Sequence, residues 1–64
     1  MIKIGEERKW RMDTNHERFK VLLDKGVHYG THYFTIQYDT DGRKQTVSEQ
    51  DLETKTVLLP PAQY

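Results

Sequence analysis

Two histidines, His28 and His32, have the spacing in this sequence that most resembles a pair of metal ligands. On a helix, this spacing places both imidazoles on one face, as in zinc-binding helices. Here Gly26 and Gly30 flank the pair and disfavour a helix, and Asp24 is the nearest acidic residue. We therefore predict no metal and no cofactor, and we interpret the pair as part of a polar, exposed hairpin.

Three acidic residues, Glu49, Asp51 and Glu53, lie close together but do not predict acid–base catalysis. Such catalysis needs a cleft that partly buries a carboxyl group. A chain of 64 residues has little room for one, since a domain of that size buries only about 60% of its unfolded surface. Phosphate loops, nucleophile elbows and dinucleotide fingerprints are also missing from the sequence. We predict that the chain is not an enzyme.

Residues 24–33 are the stretch that most resembles a binding surface. They combine glycine, histidine and tyrosine, residue types that are typical of binding loops. A simple connection between two strands does not require Tyr29. We predict a hairpin loop over 24–33 that binds a protein or peptide together with a neighbouring barrel surface. The predicted partner-binding residues are Tyr29, His32, Tyr33, Tyr38 and Asp41.

Charge is uneven along the chain although ten basic and ten acidic residues cancel. The first 25 residues carry seven basic and five acidic groups, which gives +2, and the rest gives −2. Zero net charge disfavours a non-specific nucleic-acid binder. A basic outer face on the first two strands would nevertheless suit a nucleic-acid-binding accessory protein, provided that acidic residues do not interleave. Its residues would be Arg8, Arg11, Arg18 and Lys20.

Alternating apolar and polar residues predict that most of the chain forms β-strands. The run Tyr33–Tyr38 is the richest in β-branched and aromatic residues. Turn residues over Asp39–Gly42 predict a tight hairpin after it. A helix over Glu6–Arg11 is the alternative for the first strand, but no N-cap residue precedes it. The five predicted strands are Arg8–Met12, Phe19–Asp24, Tyr33–Tyr38, Arg43–Val47 and Thr56–Leu59, with a turn at Asp13–His16.

A capping pattern, Ser48 followed by Asp51, predicts one helical turn that ends near Leu52. The segment is short, so we expect a 3₁₀ turn. The order of these elements is that of SH3-like small barrels, in which closure removes the exposed sheet edges. The predicted core consists of Trp10, Phe19, Val21, Leu23, Phe34, Ile36, Tyr38, Val47, Leu52 and Val57.

Residues 34–52 resemble the second half of a Tudor domain. They contain an apolar strand ending in tyrosine, an Asp/Gly turn, a polar strand and a short acidic turn ending in leucine. Residues 5–22 resemble the first half more loosely. The resemblance covers about residues 5–58 and implies an all-β, five-stranded SH3-like (Tudor-like) barrel with a short 3₁₀ turn before the last strand. We predict one such domain over 1–59 and a Pro-containing tail over 60–64, because Pro60 and Pro61 end the last strand.

The Tudor resemblance also implies an aromatic cage for methylated lysine or arginine, because π faces attract a desolvated cation. Trp10, Phe19 and Tyr38 fall near cage-like positions, but they also belong to the predicted core. Core and cage are therefore alternative interpretations of the same three residues.

A non-catalytic binding module for a protein or peptide is the function that these features favour. The alternatives are the nucleic-acid accessory protein and a small structural or assembly subunit, phage-like or part of a complex, that completes its core by oligomerising. Absence of cysteine and of any apolar run of about 18–20 residues predicts a cytoplasmic protein without a membrane segment, or a nuclear one if it is a true Tudor domain. The segment Pro60–Tyr64 resembles a WW-domain ligand with its tyrosine displaced by one residue, and we interpret it as a terminal tail.

Overall fold

A computed structural model describes residues 2–12 and 17–60 of the chain. These residues form one antiparallel five-stranded sheet, in the order β4-β3-β2-β1-β5, and one helix. The predicted turn at 13–16 and most of the predicted tail lie outside the described residues. The elements are β1 (Glu7–Trp10), β2 (Arg18–His28), β3 (Thr31–Tyr38), β4 (Lys44–Ser48), α1 (Glu49–Lys55) and β5 (Thr56–Leu58).

The prediction of a mostly β small domain with five antiparallel strands is confirmed. The predicted closure is not, because the sheet is open and β4 and β5 form its two edges. The tight turn after β3 is also confirmed. Its Gly42 has a φ of 73° and donates its backbone N–H to the carbonyl of Tyr38.

Two irregularities in β2, at Leu22 and at Lys25, decide which side chains face the core. Val21 pairs with Ile36 and Leu23 pairs with Thr35, so Leu22 is an extra residue in β2. A bulge of this kind reverses the alternation of faces beyond it. Leu23 is therefore 57% exposed, and its predicted place in the core is wrong.

The core fills the inner face of the sheet beneath α1. Seven of the ten predicted core residues are buried, and Trp10 packs against them while remaining partly exposed. In β5, Thr56 and not the predicted Val57 faces the core, since Thr56 is buried and Val57 is only half-buried. Ile2, which precedes the first predicted strand, is an additional core residue. The buried apolar residues are Ile2, Phe19, Val21, Phe34, Ile36, Tyr38, Val47 and Leu52.

The helix begins as predicted but continues further. The Ser48 hydroxyl accepts the backbone N–H of Asp51 at 3.2 Å, which is the N-cap contact that the sequence predicts. The segment is nevertheless an α-helix of seven residues and not a single 3₁₀ turn. Its Leu52 side chain is fully buried, and its Leu52 carbonyl accepts a 3.1 Å hydrogen bond from Arg8 Nη1. Tertiary contacts therefore stabilise a helix too short to persist alone.

Candidate functional site

The hairpin formed by the distal parts of β2 and β3 reaches beyond the core. Residues 24–33 form a hairpin, but its loop is shorter than the sequence predicts, since both strands continue to a connection of two residues between His28 and Thr31. On the other edge of β2, the segment before β1 forms hydrogen bonds with β2 as far as Val21. There the Gly5 N–H donates to the Val21 carbonyl, and the Val21 N–H donates to the Glu6 carbonyl. The hairpin of residues 24–33, here called the arm, lies beyond that point.

Tyr29 and Gly30 form the tip of the arm. Both have positive φ, 54° for Tyr29 and 78° for Gly30, as the two central residues of a type I′ turn require. Glycine adopts this conformation without cost, whereas a tyrosine there is strained. The Tyr29 side chain is fully exposed, at 106% of its reference area. The most accessible aromatic ring of the described chain therefore occupies a backbone position that disfavours it.

Polar contacts at the base of the arm join its two strands. Asp24 Oδ1 accepts hydrogen bonds from His32 Nε2 at 2.6 Å and from the backbone N–H of Gly26 at 2.8 Å. The hydrogen bond from His32, followed by that from Gly26, lowers the pKa of the Asp24 carboxyl below its usual range. The His32 ring stacks on Phe34 with centroids 4.5 Å apart, and its Nδ1 lies 3.9 Å from Glu49 Oε2. The cluster links the arm to the start of α1.

The opposite face of the arm carries the other histidine. His28 Nε2 donates to the carbonyl of Lys25 at 2.9 Å, and its ring lies 6.3 Å from that of Tyr33. His28 and His32 thus face different partners, and in the described ranges 2–12 and 17–60 no three His, Cys, Asp or Glu residues are grouped as metal ligands. Of the predicted partner-binding residues, Tyr29, His32 and Tyr33 lie on the arm, with His32 and Tyr33 on opposite faces.

The remaining two predicted partner-binding residues lie away from the arm. Tyr38 is 6% exposed, and the Arg43 guanidinium lies 4.4 Å above the centroid of its ring. Asp41 is an exposed residue of the β3–β4 turn, where its carboxylate accepts the backbone N–H of Arg43 at 3.0 Å. Tyr38 is therefore a core residue, and the Asp41 carboxylate stabilises the β3–β4 turn.

The three rings of the suggested aromatic cage pack on one another. The Phe19 centroid lies 5.5 Å from that of Trp10 and 5.6 Å from that of Tyr38. Phe19 has no exposed surface, because it is central to this cluster. The arrangement is that of a packed core, and Phe19 offers no free ring face to a cation.

Acidic residues interrupt the basic face suggested for β1 and β2. The prediction that Arg8 lies on it is wrong, because Arg8 is 9% exposed and pairs with Glu6 at 2.9 Å beneath the sheet. Glu7 pairs across the strands with Lys20 and forms a 2.7 Å ion pair with Arg18. The exposed Arg11 follows β1. The uninterrupted cationic surface that the nucleic-acid alternative requires is absent from these two strands as the structure describes them.

A small pocket lies at the other end of the sheet, and sequence reasoning did not find it. It has a volume of about 270 Å³ and is lined by Trp10, Arg11, Met12, Thr54 and Lys55. The backbone N–H of Arg11 donates to the carbonyl of Lys55 at 3.0 Å and joins the two walls. Met12 is 92% exposed. The one sequence signal is Met12, two residues after Trp10, and that spacing indicates a strand face and not a pocket.

None of the described residues forms a helix that is long and apolar enough to cross a membrane. Comparisons with protein-family models, with curated proteins and with solved structures find no match to this chain. Evidence on function therefore comes from the arm, the pocket and the charges around them.

Proposed function

We propose that this chain is a non-catalytic binding module that recognises a protein or peptide through the arm. Its tip carries the proposal: Tyr29 is fully exposed and has a φ of 54°. A non-glycine residue held at positive φ lowers the stability of the fold by on the order of 1 kcal/mol. Because the Tyr29 ring is not buried in the free chain, no packing contact offsets this loss. Strain of this kind is typical of positions that contact a ligand.

The contacts at the base of the arm support the same proposal. Asp24 is bonded to His32 and Gly26, and His28 is bonded to Lys25, so the strands below the tip are fixed in the free chain. Binding by a fixed hairpin loses less conformational entropy than binding by a mobile loop. Tyrosine adds contact area with few rotatable bonds. A partner would therefore meet a prearranged aromatic tip, with Val27 on one face of the arm below it and Tyr33 on the other.

The finer fold assignment belongs to the same proposal. We propose an SH3-like, Tudor-like module, and the position of α1 between β4 and β5 supports it, since the resemblance places its helical turn there. A cytoplasmic location is part of the proposal and fits a chain without cysteine.

Selection of random peptides displayed on phage against the immobilised chain tests this function. Tyr29→Asn is the test variant. It removes the ring but keeps the turn, because asparagine before glycine is the preferred type I′ pair. We expect the selected peptides to bind the native chain and to lose at least about tenfold in affinity for Tyr29→Asn. Lys20→Ala, on β2 outside the arm, should leave their affinity unchanged. Peptides that bind Tyr29→Asn equally well would contradict the proposal.

A further inference from the structure

The pocket between the end of β1 and the end of α1 lies far from the arm. Lys9 pairs with Arg18, the first residue of β2, so Trp10 lies near the start of β2. The tip of the arm follows His28, the last residue of β2. The eleven residues of β2 span about 36 Å at 3.3 Å per residue. A ligand in this pocket would therefore contact a second site, independent of the proposed function of the arm.

The size of the pocket fits one side chain. Its volume of about 270 Å³ is below the 300–1,000 Å³ that is usual for a drug-sized ligand. Its walls include the Trp10 ring and the exposed Met12 side chain. Methionine adapts its shape to an apolar guest, and tryptophan supplies the largest apolar surface of any residue. The interior therefore suits a leucine-sized or aromatic side chain.

Two of the five side chains that line the pocket are cationic. Arg11 and Lys55 line it, and Asp51, 3.4 Å from Lys55 Nζ, is the acidic partner of that lysine. The carbonyls at the end of a helix would add negative potential, but two of those here accept hydrogen bonds. The Leu52 carbonyl accepts from Arg8 and the Lys55 carbonyl accepts from Arg11. Arg11, Lys55 and Asp51 together carry a net charge of +1, which favours an anionic ligand.

We propose that this pocket binds an acidic peptide segment by inserting one apolar side chain that is flanked by aspartate or glutamate. A side-chain carboxylate suits the pocket better than a free C-terminus does. Proteins commonly capture a C-terminal carboxylate with clustered backbone N–H groups, whereas the N–H of Arg11 already donates to Lys55. The long cationic side chains of Arg11 and Lys55 can instead follow a mobile carboxylate.

Trp10 is the single tryptophan of the chain, so its fluorescence reports on the pocket directly. The probe is a peptide with leucine between two aspartates, acetylated and amidated so that it has no charged ends. We expect saturable changes in emission with a dissociation constant on the order of 1 mM, as one buried side chain and exposed ion pairs allow. Replacing the leucine by alanine should weaken binding by about tenfold or more.

The matched protein variants are Arg11→Gln and Lys55→Gln, which keep most of the side-chain length and remove the charge. Each should weaken binding by about two- to fivefold, and added salt should do the same. Tyr29→Asn should have no effect, which separates this site from the arm.

Three outcomes would overturn the proposal: a flat titration, equal binding of a peptide with lysines in place of the aspartates, or binding only by a peptide with a free C-terminal carboxylate. Circular dichroism of each variant verifies that a loss of binding is not a loss of fold.

Discussion

The indole Nε1 of Trp10 donates a 2.9 Å hydrogen bond to the hydroxyl of Tyr38. That hydroxyl donates in turn to Gln45 Oε1 at 3.1 Å, so one chain of hydrogen bonds connects β1, β3 and β4 across the inner face. Both rings contact Phe19, which lies between them. Trp10 and Tyr38 are thus joined through their polar atoms as well as their rings, which explains how two amphipathic aromatics are accommodated in a small core.

Replacing Tyr38 by phenylalanine tests this connection. We expect Tyr38→Phe to lower the free energy of unfolding by about 1–2 kcal/mol, because it leaves Trp10 Nε1 and Gln45 without their partner. Chemical denaturation followed by circular dichroism measures the change. Trp10→Phe and the double variant complete a cycle, in which we expect a coupling energy of about 1 kcal/mol. Additive effects would show that the hydrogen bond contributes nothing beyond packing.

Arg8 provides a second prediction, since it contacts both the sheet and the helix. Its guanidinium pairs with Glu6 and donates to the Leu52 carbonyl and the Thr56 hydroxyl. Arg8→Ala removes these bonds and leaves Glu6, whose side chain is 14% exposed, without its cation. We expect a loss of about 3 kcal/mol in unfolding free energy by urea denaturation. Lys20→Ala, on the solvent face, should change it by at most about 0.5 kcal/mol. Similar losses for the two variants would contradict the structural role of Arg8.

These features indicate which parts of the fold can be predicted from the sequence. Alternation located β3 and its apolar face, and the capping pattern located the start of α1, because both signals are local. The place of Leu23 could not be predicted in this way, since it depends on the extra residue Leu22 and on pairing with β3. The same holds for Arg8, whose burial depends on partners 44 and 48 positions away in sequence.

The sequence indicated that residues 24–33 carry binding residues, but it did not indicate that they form a continuous two-stranded hairpin. Glycines at 26 and 30 indicate a loop, yet in the structure Gly26 follows a bulge and Gly30 forms the turn of a continuous hairpin. Both glycines have positive φ, a conformation that β-branched and aromatic strand residues rarely adopt. The arm therefore needs glycine at these two positions although it is a hairpin. The pocket had almost no sequence signal, because its walls come from two segments more than 40 positions apart in sequence.

The strain at Tyr29 predicts that the tip can be made more stable. Tyr29→Asn should raise the free energy of unfolding by about 0.5–1 kcal/mol, because asparagine tolerates positive φ. Tyr29→Val should lower it by about 1 kcal/mol, because a branched Cβ is least tolerated there. Thermal denaturation of the three proteins in parallel measures the order. A native chain at least as stable as Tyr29→Asn would show that the tyrosine is not strained.

The Asp24 carboxyl predicts how the arm responds to acid. Its pKa is lowered in the folded chain from an ordinary value of 3.8, so the native state favours the carboxylate. This contribution to stability is present above the unfolded pKa and is lost as pH falls through the folded pKa. Carbon NMR titration should therefore give a midpoint for Asp24 below 3.8. In His32→Ala, which removes the larger cause, the midpoint should rise toward that value. An unchanged midpoint would assign the shift to Gly26 alone.

The charges of β1 and β2 predict weak affinity for nucleic acid. Glu7 lies opposite Lys20 and pairs with Arg18, and Glu17 lies 3.3 Å from Arg43. Each carboxylate therefore offsets a cation that would otherwise contact phosphate. We expect no binding to a random single-stranded DNA at about 50 mM salt, measured by fluorescence anisotropy.

The double variant Glu7→Lys with Glu17→Lys converts these positions and raises the net charge from 0 to +4. It should bind the same strand, with an affinity that falls steeply as salt increases. That comparison shows that the assay would detect a basic face if one existed. Salt-dependent binding by the native chain would restore the nucleic-acid alternative, because it would mean that Arg11, Arg18 and Lys20 contact phosphate in spite of their acidic neighbours.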